Sequence, residues 1–159
     1  MPKSSEVEAQ LLAEPVGQLG LTDFCIVTVD STVREAVSRM RATRHNCAFI
    51  VGEKTQLKGI LTDRDILKKV VSNKDVWDKP VTEVMTPNPH TVTPEHTAHD
   101  AMAMMKQGGY RNIPVVDGTT IIGNVTHFGV LRFLTDHIPE IVYNLPPDPD
   151  NYAEDRVGG

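Results

Sequence analysis

The sequence lacks long apolar runs and has few aromatic residues and few cysteines. Aromatic residues make up only 5% of the 159 positions, so the core has to be built mainly from aliphatic side chains. The longest apolar runs, such as Cys47–Val51, are much shorter than the ~20 residues of a membrane-spanning helix. The first residues lack a basic segment followed by an apolar one, so we expect neither a secretory signal nor a membrane partner.

Two cysteines, Cys25 and Cys47, cannot build a disulfide framework, and neither lies in a metal-ligand spacing. We interpret both as small core side chains and expect a reducing, cytoplasmic location. The net charge of −5 is concentrated at the two ends of the chain. Residues 21–135 carry a net charge of +2, without the strong basic field that nucleic-acid binding usually needs. We therefore do not expect a nucleic-acid partner.

An internal repeat organises the chain. Residues 15–51 align with residues 80–116 at an offset of 65 without a gap, and after a shorter loop the offset becomes 64. Both copies carry apolar residues at i, i+3, i+4 and i+7, the stripe of an amphipathic helix. These stripes are Val33, Ala36, Val37 and Met40 in the first copy, and Ala98, Ala101, Met102 and Met105 in the second.

Each copy predicts a strand, a helix, two strands joined by a turn, and a second helix, which is an α+β organisation. For the first copy we predict strands Ile26–Val29, Cys47–Val51 and Leu57–Leu61, a helix over Thr32–Arg44, and a second helix from Thr62. In the second copy, Gly108-Gly109 is typical of a helix C-cap, and Asp117-Gly118 of a hairpin turn. The predicted organisation is an N-terminal helical extension (1–14), unit one (15–72), unit two (80–135) and an acidic, proline-rich tail (136–159).

The pattern resembles the CBS domain, and the pair resembles a Bateman module. The resemblance rests on VTEVMTPNPHTVTPEHTAHDAM, YRNIPVVD and GNVTHFGVL in unit two, and on HNCAFIVG and GILTDRDIL in unit one. It covers roughly residues 15–135. It implies two β-α-β-β-α CBS units packed about a pseudo-two-fold axis, in a stand-alone module without a catalytic domain.

The resemblance also implies a ligand. CBS pairs bind adenosine-containing molecules such as AMP, ADP, ATP or S-adenosylmethionine in clefts between the two units, as regulatory ligands rather than required cofactors. In such members a G-h-h-T-x-x-D stretch closes the third strand and opens the second helix. Unit one matches it at Gly59, Thr62 and Asp65. The implied roles are ribose binding for Asp65, and a ribose or phosphate contact for Thr62.

Elementary chemistry supports these roles but leaves an alternative open. A carboxylate accepts strong hydrogen bonds from two adjacent hydroxyls, and a helix N-terminus attracts phosphate. Yet Thr-x-x-Asp is also close to a capping box, in which both side chains satisfy backbone N–H groups. Spacing alone favours the cap, whereas the resemblance favours the ligand.

Further residues of this main cleft follow from the resemblance. Ile60 would contact the base, and Arg111 is the first candidate for phosphate, followed by Arg64. Tyr110 would stack on adenine or cover the sheet edge. Met85 and His90 would complete the wall contributed by unit two.

A second cleft would use six residues: Gly20, Cys25, His45, Asn46, Asn124 and Thr126. Unit two matches the G-h-h-T-x-x-D stretch at Gly123 and Thr126, but Gly129 occupies the position of the aspartate. Without that carboxylate, three alternatives are open: an empty cleft, a ligand held in another way, or a purely structural role. We expect the second cleft to be empty or structural.

Metal binding and catalysis are not expected. Glu95, His96, His99 and Asp100 form a cluster in which histidines at i and i+3 of one helical face can chelate a metal. We expect them to lie in a first helical turn, where acidic and solvated side chains are ordinary. The sequence contains no nucleophile paired with a base. We therefore expect a non-enzymatic protein.

Our leading hypothesis is a regulatory module that signals through a change of shape or assembly. We expect a homodimer, with the stripes Ile66/Leu67/Val70 and Val130/Leu131/Leu134 as its surfaces. The alternative is a protein-interaction subunit with vestigial clefts, motivated by Gly129 and by Ile141–Leu145 in the tail. The regulated partner is left open.

Overall fold

The structure, a computed structural model, describes residues 4–137. Our predicted acidic tail, except for its first two residues, lies outside the described residues. Helix α1 (Ser4–Leu12) precedes unit one. The carbonyl of Glu14 accepts a hydrogen bond from Ala98 N at 3.0 Å, which ties the N-terminal extension to unit two. No helix within residues 4–137 is long and apolar enough to cross a membrane.

Unit one follows the predicted order of elements. It contains strands β1 (Cys25–Thr28), β2 (Cys47–Val51) and β3 (Leu57–Thr62) and helices α2 (Val33–Thr43) and α3 (Asp63–Asp65). Strand β1 is parallel to β2, and β2 is antiparallel to β3. Helix α2 begins with a capping box between Thr32 and Glu35, which satisfies its first N–H groups. Helix α3 continues as a π-helical turn, Ile66–Val70, so the second helix starts as predicted but is irregular.

Unit two repeats the order of elements of unit one, except that its first strand is reduced to a single bridge. It contains α4 (Ala98–Gly108), β5 (Asn112–Asp117), β6 (Thr120–Thr126) and α5 (His127–His137), and β5 is antiparallel to β6. The predicted first strand is reduced to an isolated parallel bridge between Val92 and Val115. Prolines at positions 89 and 94 flank Val92, and they remove backbone donors from a longer strand. Gly109 and Gly118 have positive φ values of 67° and 60°, as expected for the predicted cap and turn.

The segments that lead into the two units are exchanged. Val16 N donates to His96 O in unit two, and Val81 N donates to Ser31 O in unit one, both at 2.8 Å. The segment leading into unit two also forms strand β4 (Thr86–Pro87), which pairs with β3 and extends the sheet of unit one. The hydrophobic core of unit one, which we call core one, therefore includes Val81 and Val84. The core of unit two, core two, includes Val16, Leu19 and Leu21. Each unit needs the other to complete its core.

The helical stripes that we predicted as dimer surfaces mostly face these cores. Val70 and Val130 are 0% and 2% exposed. Ile66 and Leu134 pack partly against core one and core two. The prediction of exposed stripes is therefore wrong for these residues, because helical periodicity marks a buried face without saying what buries it. The exposed large apolar residues of α3, α5 and their extensions are Leu67, Val71, Phe128 and Leu131.

Both cysteines are buried, as predicted. Cys25 and Cys47 are 6% and 0% exposed and are free thiols. Burial raises the pKa of both thiols, and that of Cys47 lies well above its usual range. They act as small apolar groups in the sheet.

Candidate functional site

The N-terminus of α3 is closed by the side chains of Thr62 and Asp65. Thr62 N and Thr62 Oγ1 both donate to Asp65 Oδ2, at 3.0 and 2.9 Å, and Asp65 N donates to Thr62 Oγ1 at 3.3 Å. This is a complete capping box. The capping role that the spacing suggested is therefore present, and any ligand role has to be additional to it.

Asp65 has two further partners that the sequence analysis did not identify. Lys69 Nζ lies 2.9 Å from Asp65 Oδ1, and Thr86 Oγ1 donates to the same oxygen at 3.3 Å. Lys69 also donates to the carbonyl of Val84 at 2.9 Å. The side chain of Asp65 is only 13% exposed, so these contacts hold it in one position. The i,i+4 spacing of Asp65 and Lys69 was a signal for the ion pair, whereas Thr86 required knowledge of strand β4.

Asp65 lines a cavity of about 440 Å³ between the two units, which we call the Asp65 cavity. Seven of the nine predicted main-cleft residues line it: Ile60, Thr62, Arg64, Asp65, His90, Tyr110 and Arg111. Residues that we did not predict also contribute, namely Asp63, Thr86, Pro87, Asn88, Pro89, Gly108, Gly109 and Asn112. The cavity therefore has one wall from the start of α3 and another from unit two.

Gly59 and Met85 lie beside this cavity rather than on its lining. A Cβ added to Gly59 would collide with the sulfur of Met85 and would lie 3.0 Å from the carbonyl oxygen of Thr86. Gly59 pairs with Pro87 in the sheet. Glycine at this position thus allows β4 to approach β3, and the contribution of both residues to the cavity is indirect.

The wall from unit two is positioned by the end of α4. Gly109 adopts a left-handed conformation there, and Tyr110 N donates back to Met105 O at 3.1 Å. The rings of Tyr110 and His90 have centroids 5.2 Å apart and are tilted by 37°. Arg111 is exposed, with no side-chain partner within residues 4–137. The wall therefore offers aromatic surface and an uncompensated cation.

A second, larger cavity of about 770 Å³ lies on the other side of this wall, and we call it the Arg44 cavity. His45, Asn46 and Thr126 line it, but the other three residues predicted for the second cleft do not. Cys25 lies in core one, and Gly20 borders a separate cavity of about 60 Å³. Asn124 is fully buried, and its side-chain Nδ2 donates to the carbonyl oxygen of Asp23 and to Asn112 Oδ1.

A side chain at Gly129 would crowd the end of the Leu21 side chain. A Cβ there would lie 2.7 Å from Leu21 Cδ2 and 3.0 Å from Thr126 Oγ1. Gly129 N donates to Thr126 Oγ1 at 2.8 Å, so the threonine still caps α5. The Arg44 cavity consequently has no counterpart of Asp65. Within residues 4–137, no group of three or more His, Cys, Asp and Glu side chains is placed to hold a metal ion.

Comparison with known proteins gives a consistent result. A sequence model of the CBS domain matches residues 16–72 and again residues 81–136. CBS domain-containing protein CBSCBSPB1 of Arabidopsis thaliana is 37% identical over 108 residues, which are 67% of this chain and 20% of that protein. This chain therefore spans about a fifth of that relative's length.

Two further proteins are similar over most of their own length. CBS domain-containing protein YhcV of Bacillus subtilis is 35% identical over 105 residues, which are 65% of this chain and 74% of that protein. The crystal structure of CBSX2 in complex with AMP matches with a TM-score of 0.66 and 23% identity, and covers 78% of this chain and 98% of that chain. At this identity the likeness shows a shared fold.

Proposed function

Since this chain belongs to the CBS-domain family, with one domain in each unit, we propose that it is a regulatory module that binds an adenosine-containing nucleotide in the Asp65 cavity. The observation that carries the proposal is the largely buried side chain of Asp65, in a cavity whose other wall contains Tyr110 and Arg111. A carboxylate can accept both ribose hydroxyls, an aromatic ring can stack on a base, and an arginine can bind phosphate. The AMP complex of CBSX2, a protein of the same fold, makes AMP the first ligand to test.

Binding can alter the fold through the partners that Asp65 already has. A carboxylate offers about four acceptor positions, and the four contacts from Thr62, Lys69 and Thr86 occupy them. Accepting both ribose hydroxyls therefore requires two of these contacts to be given up, and the longest of the four bonds comes from Thr86. Because Thr86 lies in β4, which joins unit two to the sheet of unit one, this exchange would loosen the junction between units. A ligand that favours the loosened state shifts the equilibrium towards it.

Isothermal titration of the full chain with AMP, ADP, ATP and S-adenosylmethionine tests the proposal. We expect at least one to bind, and Asp65→Ala to weaken that ligand at least about tenfold, because a charged hydrogen bond contributes roughly 1.5–3 kcal/mol. Thr86→Val should strengthen binding by a few fold, because the competing donor is removed. No binding by any of the four ligands would refute the proposal.

The chain provides a matched control for the capping role. Thr97 and Asp100 form the same capping box at α4, and Asp100 is exposed and lies outside both cavities. Asp100→Ala should lower stability, because the reciprocal hydrogen bond from Thr97 N is lost, and should leave ligand affinity unchanged. If Asp65→Ala also lowers only stability, with the same affinity per folded molecule, the capping interpretation is sufficient.

A second candidate function, assembly through a partner, is favoured by the exposed leucines. Leu67 and Leu131 are equivalent in the repeat at its offset of 64, and they are 68% and 54% exposed. We propose that they contact a second copy of this chain. Sedimentation equilibrium should give a dimer that Leu67→Asn with Leu131→Asn dissociates, whereas a monomeric wild-type chain would exclude this interface.

A further inference from the structure

The two cavities differ strongly in charge. The Asp65 cavity is lined by Asp63, Asp65, Arg64 and Arg111, so its formal charges cancel. The Arg44 cavity is lined by five cations and one acid, namely Arg44, Arg64, Lys106, Arg111, Arg132 and Asp23. From this contrast we propose that the Arg44 cavity is a polyphosphate-binding site, which holds a chain of phosphate groups rather than a second nucleoside.

Most of these cations have no ion-pair partner among the described residues, 4–137. Asp23 pairs with Arg132 at 2.8 Å. The remaining four cations, Arg44, Arg64, Lys106 and Arg111, are exposed and make no ion pair within residues 4–137. Like charges facing one cavity repel each other, and an anion bound among them removes that repulsion. Arginine and lysine are also the residues that bind phosphate oxygens most directly.

The cavity lacks the feature that would select a nucleoside. Gly129 stands where unit one has Asp65, and a Cβ there would have to push aside the end of the Leu21 side chain. A ribose diol would therefore find no carboxylate at that position. The Arg44 cavity, at about 770 Å³, is nevertheless larger than the Asp65 cavity at about 440 Å³. Its size and charge suit an extended polyanion.

The two cavities also share a wall. Arg64, Gly109, Tyr110 and Arg111 line both of them. A nucleotide with its ribose at Asp65 could extend its phosphates past Arg64 and Arg111 into the Arg44 cavity. The phosphate chain thus has two sources, the tail of a nucleotide or a free inorganic polyphosphate, and only the first rests on the proposed function.

The backbone at Arg44 supports a role for its charge. Arg44 ends α2 in a left-handed conformation with φ 57°, while its repeat equivalent Gly109 ends α4 with φ 67°. Glycine adopts this conformation readily, whereas an L side chain does so at a cost. Position 44 therefore carries a cation where backbone stability alone favours glycine.

Titration with sodium tripolyphosphate tests the site without a nucleoside. We expect the full chain to bind it, and Arg44→Gly and Lys106→Gln each to weaken binding roughly tenfold, the contribution of one charged hydrogen bond. Arg41→Gln is the matched control, since Arg41 also lies at the end of α2 but lines neither cavity. It should change the affinity by less than about twofold. Thermal melts confirm that each variant is folded.

Titrations with AMP and ATP distinguish the two sources. If the cavity holds a nucleotide tail, ATP binds more tightly than AMP, Lys106→Gln removes that advantage, and ATP competes with tripolyphosphate. If it holds free polyphosphate, AMP and tripolyphosphate bind together, and Lys106→Gln affects only the latter. Asp65→Ala should spare tripolyphosphate in both cases, so failure of the nucleotide proposal is visible separately. The absence of tripolyphosphate binding, or equal binding by wild type, Arg44→Gly and Lys106→Gln, would overturn the inference.

Discussion

Replacing Arg44 by glycine should stabilise the protein while it weakens polyphosphate binding. Arg44 is held at φ 57° and ψ 32°, and the left-handed conformation costs a residue with a Cβ about 1–2 kcal/mol. Glycine loses roughly 0.5–1 kcal/mol of this gain through the greater freedom of its unfolded chain. The net expectation is a gain of about 0.5–1 kcal/mol, which raises the Tm of a chain this long by roughly 1–4 °C.

Two further variants separate the backbone effect from the charge effect. Arg44→Ala removes the cation but keeps the backbone cost, so its Tm should stay near that of the wild type. Gly109→Ala makes the reverse change at the equivalent position of unit two. A Cβ at Gly109 would meet no atom within 4 Å, so its cost comes from the φ of 67° alone. We expect a loss of about 1 kcal/mol.

The assay is calorimetric or circular-dichroism melting of the four proteins in one buffer without phosphate, so that ligand binding does not contribute. A Tm of Arg44→Gly at or below that of the wild type would refute the argument that position 44 is strained. If Arg44→Gly and Arg44→Ala gained equally, relief of charge repulsion would be the cause. The affinity and stability of Arg44→Gly should change in opposite directions, which a merely structural residue would not show.

Three further predictions follow from burial and charge. Val16→Ala should lower the free energy of unfolding by about 1.5–3 kcal/mol. Because Val16 packs in core two while Trp77 packs against core one, the unfolding midpoints of Trp77 fluorescence and of far-UV circular dichroism should fall together. Separate midpoints would show that the units unfold independently. Cys25 and Cys47 should resist a thiol reagent in the native protein and react with it in guanidinium chloride, because burial raises the pKa of both thiols. Rapid labelling of either cysteine in the native protein would contradict this. The hydrogen bonds of the cap lower the pKa of Asp100. The stabilisation that its carboxylate provides is therefore present above the ordinary aspartate pKa and is lost as the pH falls through the lowered pKa. The difference in stability between the wild type and Asp100→Asn should shrink in acid, and a difference that stays constant with pH would exclude this linkage.

The sequence predicted local elements well because their signals are local. The bounds predicted for α2 and for the strands of unit one agree with the structure to within one residue at each end. A threonine that caps, an apolar stripe and a left-handed residue at the end define such a helix within a few positions. The exchange of lead-in segments was not predictable in this way, because the pairing of Val16 with His96 joins residues that lie far apart in the chain.

The candidate site shows the same division between local and long-range information. The motif around Thr62 and Asp65 predicted a side-chain pair at one helix start, and the pair is there. Arg44, Lys106 and Arg132 belong to no motif, and only the packing of the two units brings them to one cavity. Their common charge, which is invisible in the overall net charge of −5, becomes evident once the cavity is known.

The repeat itself explains how one chain acquires two different cavities. Each cavity combines the end of one unit's first long helix with the start of the other unit's second helix. In the Asp65 cavity these positions carry Gly109 and Asp65. Their equivalents in the repeat are Arg44, which lines the Arg44 cavity, and Gly129, which does not. The two substitutions within the repeat reinforce each other. The Asp65 cavity has the carboxylate and a glycine at the helix end, whereas the Arg44 cavity has a cation at the helix end and no carboxylate at the position equivalent to Asp65. The backbone plan is the same in both units, and our two proposals assign ribose hydroxyls to the Asp65 cavity and phosphate to the Arg44 cavity.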